Sequence, residues 1–261
     1  MITSKDNEMI KEAAKLIAGS KERRKKERFV AEGVRLCRDA ADSGAHITEF
    51  FYTAEAAEKN PDDYRKLCAA ADRSYELGKA VYNKISDTGS PQGFMCIIDT
   101  RLGTALTDIE KGKKYAALEN IQDPSNLGTI LRTAEAVGAD GVILSSDCCD
   151  IFSPKVVRGS MGAVFRLPFL IAENFTAYIK ELTGKGIPTF ASTPRNADNI
   201  QLTDFTKGGI MLIGNEGNGL REETIDVCSS RVMIPMLGRA ESLNAAAAAA
   251  ILLYEMMKVT G

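Results

Sequence analysis

Three polar segments in the second half of the chain carry residues whose types and spacing suit group-transfer chemistry. In the first segment, residues 120–128, Asn126 is followed six positions later by Arg132. A side-chain amide can orient a ligand through directed hydrogen bonds, and a guanidinium can bind a phosphate or stabilise a developing negative charge. Structural interpretations stay open, since Asn126 is a predicted helix N-cap and Arg132 lies off the apolar stripe of that helix, where it can simply be solvated.

The second segment is residues 213–220, where three glycines surround Glu216 directly after an apolar run. Glycines let a backbone approach a ligand closely or adopt positive φ angles, although a glycine-rich turn with one exposed glutamate requires no ligand. The spacing matches neither the phosphate-binding loop nor the dinucleotide fingerprint. The segment therefore disfavours a nucleoside triphosphatase and a nicotinamide-dependent dehydrogenase.

The third segment, residues 234–244, includes Ser242 and Asn244 and leads into six consecutive alanines. Alanine is the strongest helix former, and either polar side chain can cap the helix that follows. Six small side chains also let a neighbouring backbone pack close to that helix. Capping alone is enough to explain both polar residues, so a role in binding stays an alternative at this point.

Alternating strand and helix patterns position the three segments. Each segment lies near a predicted strand, and ligands of a parallel sheet bind beyond the carboxyl ends of its strands. The patterns predict strands at 29–33, 47–52, 94–99, 115–118, 141–144, 164–167, 188–191, 209–213 and 232–235, and helices at 8–18, 34–41, 61–70, 128–137, 153–161, 175–182 and at the C-terminus. Residues 80–85 are predicted as irregular structure or a short helix. This alternation is typical of an α/β fold with a mostly parallel sheet.

A polar stretch with two glycines interrupts the periodicity at residues 101–112 and predicts a linker. It separates a small α/β domain at residues 1–100 from a larger domain at residues 113–261. From these patterns alone we expect the larger sheet to be open and unknotted, because threaded chains are almost absent from proteins.

The composition excludes several classes of protein. The net charge of −2 argues against a uniformly basic nucleic-acid binder, so RNA contact needs a local patch. The run Lys21–Arg28 supplies one, although it is also typical of a solvated helix face with ion pairs. Six scattered cysteines and the single His46, interpreted as structural, predict free thiols and no metal site. No apolar stretch reaches the roughly 20 residues of a membrane span, and no secretory signal is visible, so a cytoplasmic protein is predicted.

The order and spacing of the three segments resemble the signature motifs of the SpoU/TrmH family in the SPOUT superfamily of RNA methyltransferases. The stretch SPKVVRGSMGAVFRLP at 153–168 supports the resemblance. The N-terminal part is similar to the family's L30e-like substrate-binding domain through Ser4-Lys5, Asn7, the basic run, Phe29–Gly33, Ser86–Thr88 and Pro91–Gly93. The resemblance implies a trefoil-knotted, mostly parallel sheet after a small L30e-like α/β domain, and it replaces the expectation of an unknotted sheet.

The resemblance also implies an activity, which is S-adenosylmethionine-dependent methylation of a ribose 2′-hydroxyl of structured RNA by a homodimer whose active sites use residues of both subunits. Ribosomal RNA is favoured over transfer RNA because of the appended N-terminal domain. The implied residues fall into three groups: catalytic Asn126, Arg132, Glu216, Ser242 and Asn244, cofactor-binding Thr193, Gly214, Asn215, Ile234 and Leu243, and RNA-binding Lys5, Arg23, Arg24, Lys25 and Lys26.

Within that scheme Arg132 orients the ribose-phosphate and stabilises the developing alkoxide, and Glu216 positions Arg132. A guanidinium rarely releases its proton, so whether Arg132, another group or water accepts the hydroxyl proton stays open. A transfer-RNA methyltransferase and a non-catalytic RNA-binding protein of the same fold remain alternatives. The second alternative is disfavoured because Arg132, Glu216 and Asn244 are all present.

Overall fold

The computed structural model describes residues 1–103, 105–194 and 196–258. Its contacts divide the chain into two compact units. The first unit joins Met1–Gly103 to Asp150–Phe165, and the second joins Thr104–Cys149 to Arg166–Gly261. Residues 150–165 pack with the N-terminal unit, although they lie beyond the predicted domain boundary at residues 101–112. The predicted limits of the two domains therefore stay a prediction.

Regular elements alternate along both units. In the first unit they are α1 (Glu8–Ala18), α2 (Ser20–Lys26), β1 (Arg28–Glu32), α3 (Val34–Asp42), β2 (Ile47–Tyr52), α4 (Ala54–Lys59), α5 (Pro61–Ala70), β3 (Ala71–Glu76), α6 (Lys79–Ile85), β4 (Phe94–Asp99) and, from the later segment, α8 (Pro154–Gly159) with a 3-10 turn at Ala163–Phe165. In the second unit they are β5 (Lys114–Leu118), α7 (Pro124–Ala136), β6 (Gly141–Ser145), β7 (Phe169–Ala172), α9 (Phe175–Gly184), β8 (Thr189–Ser192), β9 (Asp198–Asn199), a 3-10 turn at Ile200–Leu202, β10 (Gly209–Ile213), α10 (Glu222–Asp226), β11 (Ser230–Met233) and α11 (Ala245–Met257).

The first unit is built on a four-stranded mixed sheet in the order β1-β4-β2-β3. β4 pairs antiparallel with β1 and β2, and β3 adds in parallel to β2. α1 and α6 cover one side of it with buried apolar residues such as Ile10, Leu16 and Val81. Residues 150–165 join this unit through Phe29 of β1, whose ring centroid lies 4.6 Å from that of Phe152 and 6.1 Å from that of Phe165.

The second unit carries a seven-stranded parallel sheet in the order β7-β6-β5-β10-β8-β11-β9. Every residue of β6 and β10 is buried, as is every residue of β5 except Lys114, which is expected for a parallel sheet covered on both faces. α9 and α10 pack on one another, and α7 packs against α11. The α/β class with a mostly parallel sheet is thereby confirmed, whereas the trefoil knot stays a prediction.

One strand expectation was wrong. Residues 164–167 were expected to form a strand, but Ala163–Phe165 form a 3-10 turn and the strand is Phe169–Ala172. The apolar residues Val164 and Phe165 are buried as a turn, and a short apolar run does not distinguish that from a strand.

In the ranges that the structure describes, no helix is long and apolar enough to cross a membrane. The same ranges contain no group of three or more His, Cys, Asp or Glu side chains that could hold a metal ion.

Candidate functional site

The first predicted segment forms a loop at the carboxyl end of β5 and then the start of α7. The N-cap of α7 is Asp123, whose Oδ1 accepts a hydrogen bond from the Ser125 backbone N–H at 2.8 Å. The expectation that Asn126 caps this helix was therefore wrong. Pro124 occupies the first helical position, where no N–H is required, so the helix begins two residues before Asn126. The amide of Asn126 is free for other partners as a result.

Asn126 joins all three predicted segments. Its Nδ2 donates to Oε1 of Glu216 at 3.0 Å, and its Oδ1 accepts from Nδ2 of Asn244 at 3.0 Å. The Asn126 side chain is buried, whereas Glu216 is partly exposed and Asn244 is exposed, so both bonds are partly shielded from water. The structure thus brings three of the five predicted catalytic residues into one hydrogen-bonded chain.

The carboxylate of Glu216 accepts four hydrogen bonds. Besides Asn126, the backbone N–H groups of Asp123 and Gln122 donate to it at 3.0 and 3.2 Å, and Nδ2 of Asn215 lies at 3.4 Å. Partial burial raises the pKa of Glu216, but the hydrogen bonds from Asn126 and the backbone outweigh it and hold that pKa below its usual value. Glu216 is therefore ionised at neutral pH and fastens the second segment to the first.

Glu216 does not bond to Arg132 within one chain, and the expectation that Glu216 positions Arg132 stays a prediction. The partners of the Glu216 carboxylate are Asn126, Asn215 and the backbone of residues 122–123. Arg132 is exposed in the third turn of α7 and has no side-chain hydrogen bond or ion pair with any residue that the structure describes. Its guanidinium is available to a ligand or to another protein chain.

The glycine-rich loop after β10 is shaped by close backbone contacts. A Cβ on Gly214 would lie 2.1 Å from backbone atoms of Gly219 and Leu220, so only glycine fits there. Asn215 closes the loop through a pair of backbone hydrogen bonds with Gly219 at 3.0 and 2.9 Å. Its Oδ1 accepts from the backbone N–H groups of Gly217 and Asn218, and its Nδ2 donates to the Asn120 carbonyl at 2.8 Å.

Asn244 caps α11, as the sequence indicated. Its Oδ1 accepts from the N–H groups of Ala246 and Ala247 at 2.9 and 3.2 Å, while its Nδ2 reaches Asn126. The alanine tract then buries Ala245, Ala246 and Ala249 against α7 and the sheet. Capping and a contact with the first segment are thus combined in one side chain.

A cavity of about 800 Å³ lies at the carboxyl ends of β8, β10 and β11. This volume falls in the range of sites for small molecules and cofactors. All five predicted cofactor residues line it: Thr193, Gly214, Asn215, Ile234 and Leu243. Glu216 and Ser242 line it too, whereas Asn126, Arg132 and Asn244 do not. The cavity suits a ligand such as S-adenosylmethionine in two ways. Its apolar walls, from Ile213, Val232 and Leu252, fit a flat adenine ring, and Gly214, which no other residue could replace, lets the backbone approach the ligand closely.

The predicted RNA-binding residues of the first unit divide into two kinds. Lys5, Arg24, Lys25 and Lys26 are exposed, and Lys26 lies 3.7 Å from Glu12. Arg23 is the exception. Its side chain is only 6% exposed, and its Nε pairs with Asp150 at 2.7 Å.

Arg23 is a correction to the predicted RNA-binding set. Its Nη1 donates to the carbonyls of Leu16 and Ile17 at 2.5 and 3.2 Å, in addition to the ion pair with Asp150. All of these partners belong to the same unit. Its guanidinium therefore stabilises the fold of the unit and is not available to a phosphate.

Sequence reasoning missed Glu119, Asp147 and Arg221. Glu119 is completely buried directly after β5, and Arg221 bonds to both acids at the end of the glycine-rich loop. A signal existed for Glu119, because a carboxylate that continues the apolar run 115–118 must find donors when the strand is buried.

The chain matches known families along most of its length. Residues 113–254 match the SpoU rRNA Methylase family, and residues 7–96 match the MRM3-like substrate binding domain. The chain is 32% identical, over 97% of its length and 92% of the relative, to an uncharacterized tRNA/rRNA methyltransferase of Synechocystis. It is 30% identical, over 98% of both chains, to the 23S rRNA (guanosine(2553)-2′-O)-methyltransferase RlmP of Bacillus subtilis.

Solved structures show the same similarity. An AdoMet-bound rRNA methyltransferase from Sinorhizobium meliloti superimposes with a TM-score of 0.87 at 33% identity, covering 98% of this chain and 96% of the other. The SpoU methyltransferase AviRb from Streptomyces viridochromogenes, in complex with AdoMet, gives a TM-score of 0.85 at 25% identity, with 96% and 97% covered.

Proposed function

Since this chain belongs to the SpoU rRNA methylase family, we propose that it transfers a methyl group from S-adenosylmethionine to a ribose 2′-hydroxyl of ribosomal RNA. The observation that carries the proposal is the cavity at the carboxyl ends of β8, β10 and β11, because all five predicted cofactor residues line it. The relative from Bacillus subtilis, which aligns over nearly the whole of both chains, acts on 23S rRNA by its name, and this supports ribosomal RNA as the substrate class.

The residues of the cavity suit the cofactor in distinct ways. The glycine-rich loop offers backbone groups at Gly214 and Asn215, and Ile234 and Leu243 supply apolar contact. When bound, S-adenosylmethionine supplies an activated methyl group on a sulfonium sulfur. The protein therefore has to hold donor and acceptor in line and assist the ribose oxygen.

Neither Glu216 nor Arg132 suits the role of proton acceptor. The Glu216 carboxylate already accepts four hydrogen bonds, and a guanidinium rarely loses its proton. We propose that the hydroxyl proton leaves to water while Arg132 binds the ribose-phosphate and stabilises the developing alkoxide. Ser242, exposed at the cavity, is positioned to bind the ribose, and Asn244 fixes the first and third segments together.

RNA binding is assigned to the first unit. The exposed residues Lys5, Arg24, Lys25 and Lys26 form the proposed phosphate-contacting set. A local basic helix compensates for a net charge of −2, because contacts to phosphate depend on nearby charge rather than on the whole-chain sum. Ribosomal RNA in the cytoplasm is the proposed target and location.

We propose a homodimer formed through α11. Its exposed residues Ala247, Ile251 and Tyr254 are spaced four and three apart and form an apolar stripe on one face, and Tyr254 is 61% exposed. The 3-10 turn packed against α11 adds Leu202, which is 84% exposed. A helix that is apolar on all sides is expected to be buried on all sides, and a second copy of the chain can bury the face of α11 that is exposed in one chain.

The proposal is tested in two steps. Purified protein is incubated with S-adenosylmethionine carrying a labelled methyl group and with ribosomal RNA or transfer RNA, and the 2′-O-methyl sites of cellular RNA are mapped with and without the gene. We expect one or a few sites in ribosomal RNA to depend on the gene. If only transfer RNA is methylated, transfer RNA is the substrate. If no site depends on the gene and no labelled product forms, the protein is a non-catalytic RNA-binding protein.

A further inference from the structure

Glu119 is a completely buried carboxylate that the proposed mechanism does not use. Its Oε2 accepts a hydrogen bond from the backbone N–H of Arg221 at 2.8 Å. Its Oε1 accepts from the Thr224 hydroxyl at 2.7 Å and from Nη1 of Arg221 at 3.4 Å. A buried charge is tolerated only when donors satisfy it in this way, so Glu119 constrains the backbone where the glycine-rich loop enters α10.

Arg221 connects this carboxylate to a second one. Its guanidinium also pairs with Asp147, which accepts a hydrogen bond from the Ser145 hydroxyl at 2.5 Å. The Ser145 oxygen in turn accepts from the Asn120 backbone N–H at 2.8 Å. Arg221 therefore ties together the loops that follow β5, β6 and β10.

The charges of Asp147 and Arg221 also stabilise the contact between the loops after β6 and β10. Partial burial raises the pKa of Asp147, but the hydrogen bonds from Ser145 and Arg221 outweigh it and hold that pKa below its usual value. The Asp147–Arg221 pair is therefore fully ionised at neutral pH. Charge-assisted bonds of this kind are stronger than neutral ones and fix geometry as well.

The loop at residues 214–220 is thus held at both ends. Asn215 and Glu216 bond to residues 120–123 at its start, and Arg221 bonds to Glu119 and Asp147 at its end. The loop between these anchors forms a wall of the cavity, and the two neighbours of Arg221 in the chain line it as well, although Arg221 itself does not.

We propose that Glu119 and Arg221 are positioning residues that set the affinity for S-adenosylmethionine by holding the 214–220 loop against the loops after β5 and β6. The inference rests on the proposed function, since it concerns the same cavity. Because neither residue lines the cavity, and because Arg132 and Ser242 are not among their partners, their loss acts on cofactor binding and not on the transfer step.

The test uses the full-length variants Glu119→Gln and Arg221→Lys. The first keeps the size of the side chain but replaces an acceptor with a donor, and the second keeps the charge but loses the fork that reaches two carboxylates. Arg231→Lys is the matched control, because among the described residues Arg231 forms an ion pair only with the exposed Asp226, at 2.9 Å. Titration calorimetry gives the Kd for S-adenosylmethionine, and single-turnover methylation at saturating cofactor and RNA gives the transfer rate.

We expect the Kd to rise about 10- to 100-fold in both variants, as for the loss of a charge-assisted hydrogen bond, with a saturating single-turnover rate within about twofold of wild type. The control should keep the wild-type Kd. An unchanged Kd in both variants would overturn the proposal, and so would a saturating rate that falls as much as the affinity does.

Two further measurements keep the outcomes distinct. If Glu119→Gln does not fold, as judged by its thermal unfolding, Arg221→Lys and Asp147→Asn decide by the same two quantities. A wild-type protein that binds S-adenosylmethionine but methylates no RNA would contradict the proposed function and not this inference. A wild-type protein that does not bind the cofactor would contradict both.

Discussion

At the scale of single residues, Glu216 illustrates how hydrogen bonding separates a structural anchor from a catalytic base. Its two carboxylate oxygens accept bonds from Asn126, Asn215 and two backbone N–H groups. Donors favour the ionised form, which lowers the pKa and leaves little capacity to take a substrate proton. Glu216 therefore holds the first two segments together.

The lowered pKa of Glu216 predicts a pH window. A carboxyl group whose pKa is lower in the folded state than in the unfolded state stabilises the folded state at pH values above the unfolded pKa, about 4.3. This stabilisation is lost as the pH falls through the folded pKa. We expect the difference in unfolding free energy between wild type and Glu216→Gln to be constant from about pH 6 to 8 and to shrink below about pH 4. Urea titrations across this range measure it, and a difference that changes between pH 6 and 8 would contradict the assignment.

Arg132 is predicted to act in the transition state. It is exposed and has no partner in the part of the chain that the structure describes, so Arg132→Ala should change the stability by less than about 0.5 kcal/mol. Loss of a preorganised electrostatic contact typically lowers the rate about 100- to 1000-fold, or about 3 to 4 kcal/mol. Single-turnover methylation at saturating cofactor and RNA is the measurement, and Lys180→Ala, which removes another exposed helix cation, is the control. A near-normal rate for Arg132→Ala would remove the residue from the site.

The variant Arg132→Lys separates charge from geometry. Lysine keeps the positive charge but loses the planar fork, so poor recovery of the rate is expected if Arg132 holds a phosphate or alkoxide through paired bonds. The midpoint of the pH–rate profile should stay the same in this variant, because water accepts the proton in our mechanism. A midpoint that moves with the substitution would instead identify Arg132 as the acceptor.

At the scale of elements, α2 shows that one basic run can contain both a buried structural arginine and exposed cations. Arg24, Lys25 and Lys26 are exposed on a helix whose fourth residue, Arg23, is buried in an ion pair with Asp150. Position on the helix, and not charge, decides which side chain can reach a phosphate. The sequence shows the charge, but it does not show the distant acid that binds Arg23.

The division of α2 predicts different effects for its residues. Replacing Arg24, Lys25 and Lys26 with alanine should weaken RNA binding and flatten the log–log salt dependence by about 0.7 to 0.9 per lost phosphate contact, with cofactor affinity unchanged. Arg23→Ala should instead destabilise the first unit by about 3 to 5 kcal/mol, because it leaves a carboxylate without its buried partner. Filter-binding titrations in increasing salt and thermal unfolding distinguish the two. An unaltered salt slope in the triple variant would make this helix an ordinary solvated face.

Strong periodicity explains which elements could be predicted. The strands at Ile47–Tyr52, Phe94–Asp99 and Gly209–Ile213 agree with the patterns because each is a short segment rich in apolar residues. The strand Ala71–Glu76 was not predicted, since its sequence ADRSYE is polar and it is held by pairing with β2. Tertiary pairing of this kind leaves no local signal.

The candidate site divides in the same way. The positions of Asn126, Glu216 and Asn244 could be inferred because each belongs to a motif that follows a strand, and the structure joins them. The roles of Glu119 and Arg221 could not, because they depend on a contact 102 residues apart in the chain. The absence of a bond between Arg132 and Glu216 within one chain could not be inferred either, since the helix register alone allowed a contact.

At the scale of the whole molecule, the exposed stripe of α11 and the free side chain of Arg132 point to the same proposal. α11 packs against α7, which carries Arg132. α11 also lines the cavity through Ala245, Ala248 and Leu252, whereas Arg132 does not line the cavity of its own chain. A second copy covering Ile251 and Tyr254 would bring its own cavity toward Arg132 of the first copy. We therefore expect the protein to run at twice its chain mass of 28.2 kDa, and Tyr254→Glu to yield an inactive monomer. A wild-type monomer with intact activity at micromolar concentration would contradict the dimer.

Mixing two inactive variants tests whether Arg132 serves the partner's cavity. Arg132→Ala lacks the guanidinium, and Gly214→Ala places a Cβ 2.1 Å from the backbone that closes the cofactor loop. If Arg132 acts across the interface, each mixed dimer contains one site with both defects and one site with neither. Random exchange of equal amounts makes half of the dimers mixed, so the activity should recover to about a quarter of wild type. If Arg132 acts within its own chain, both sites of a mixed dimer are defective and the mixture stays inactive, so single-turnover rates of the mixture, compared with each variant alone, decide between the two arrangements.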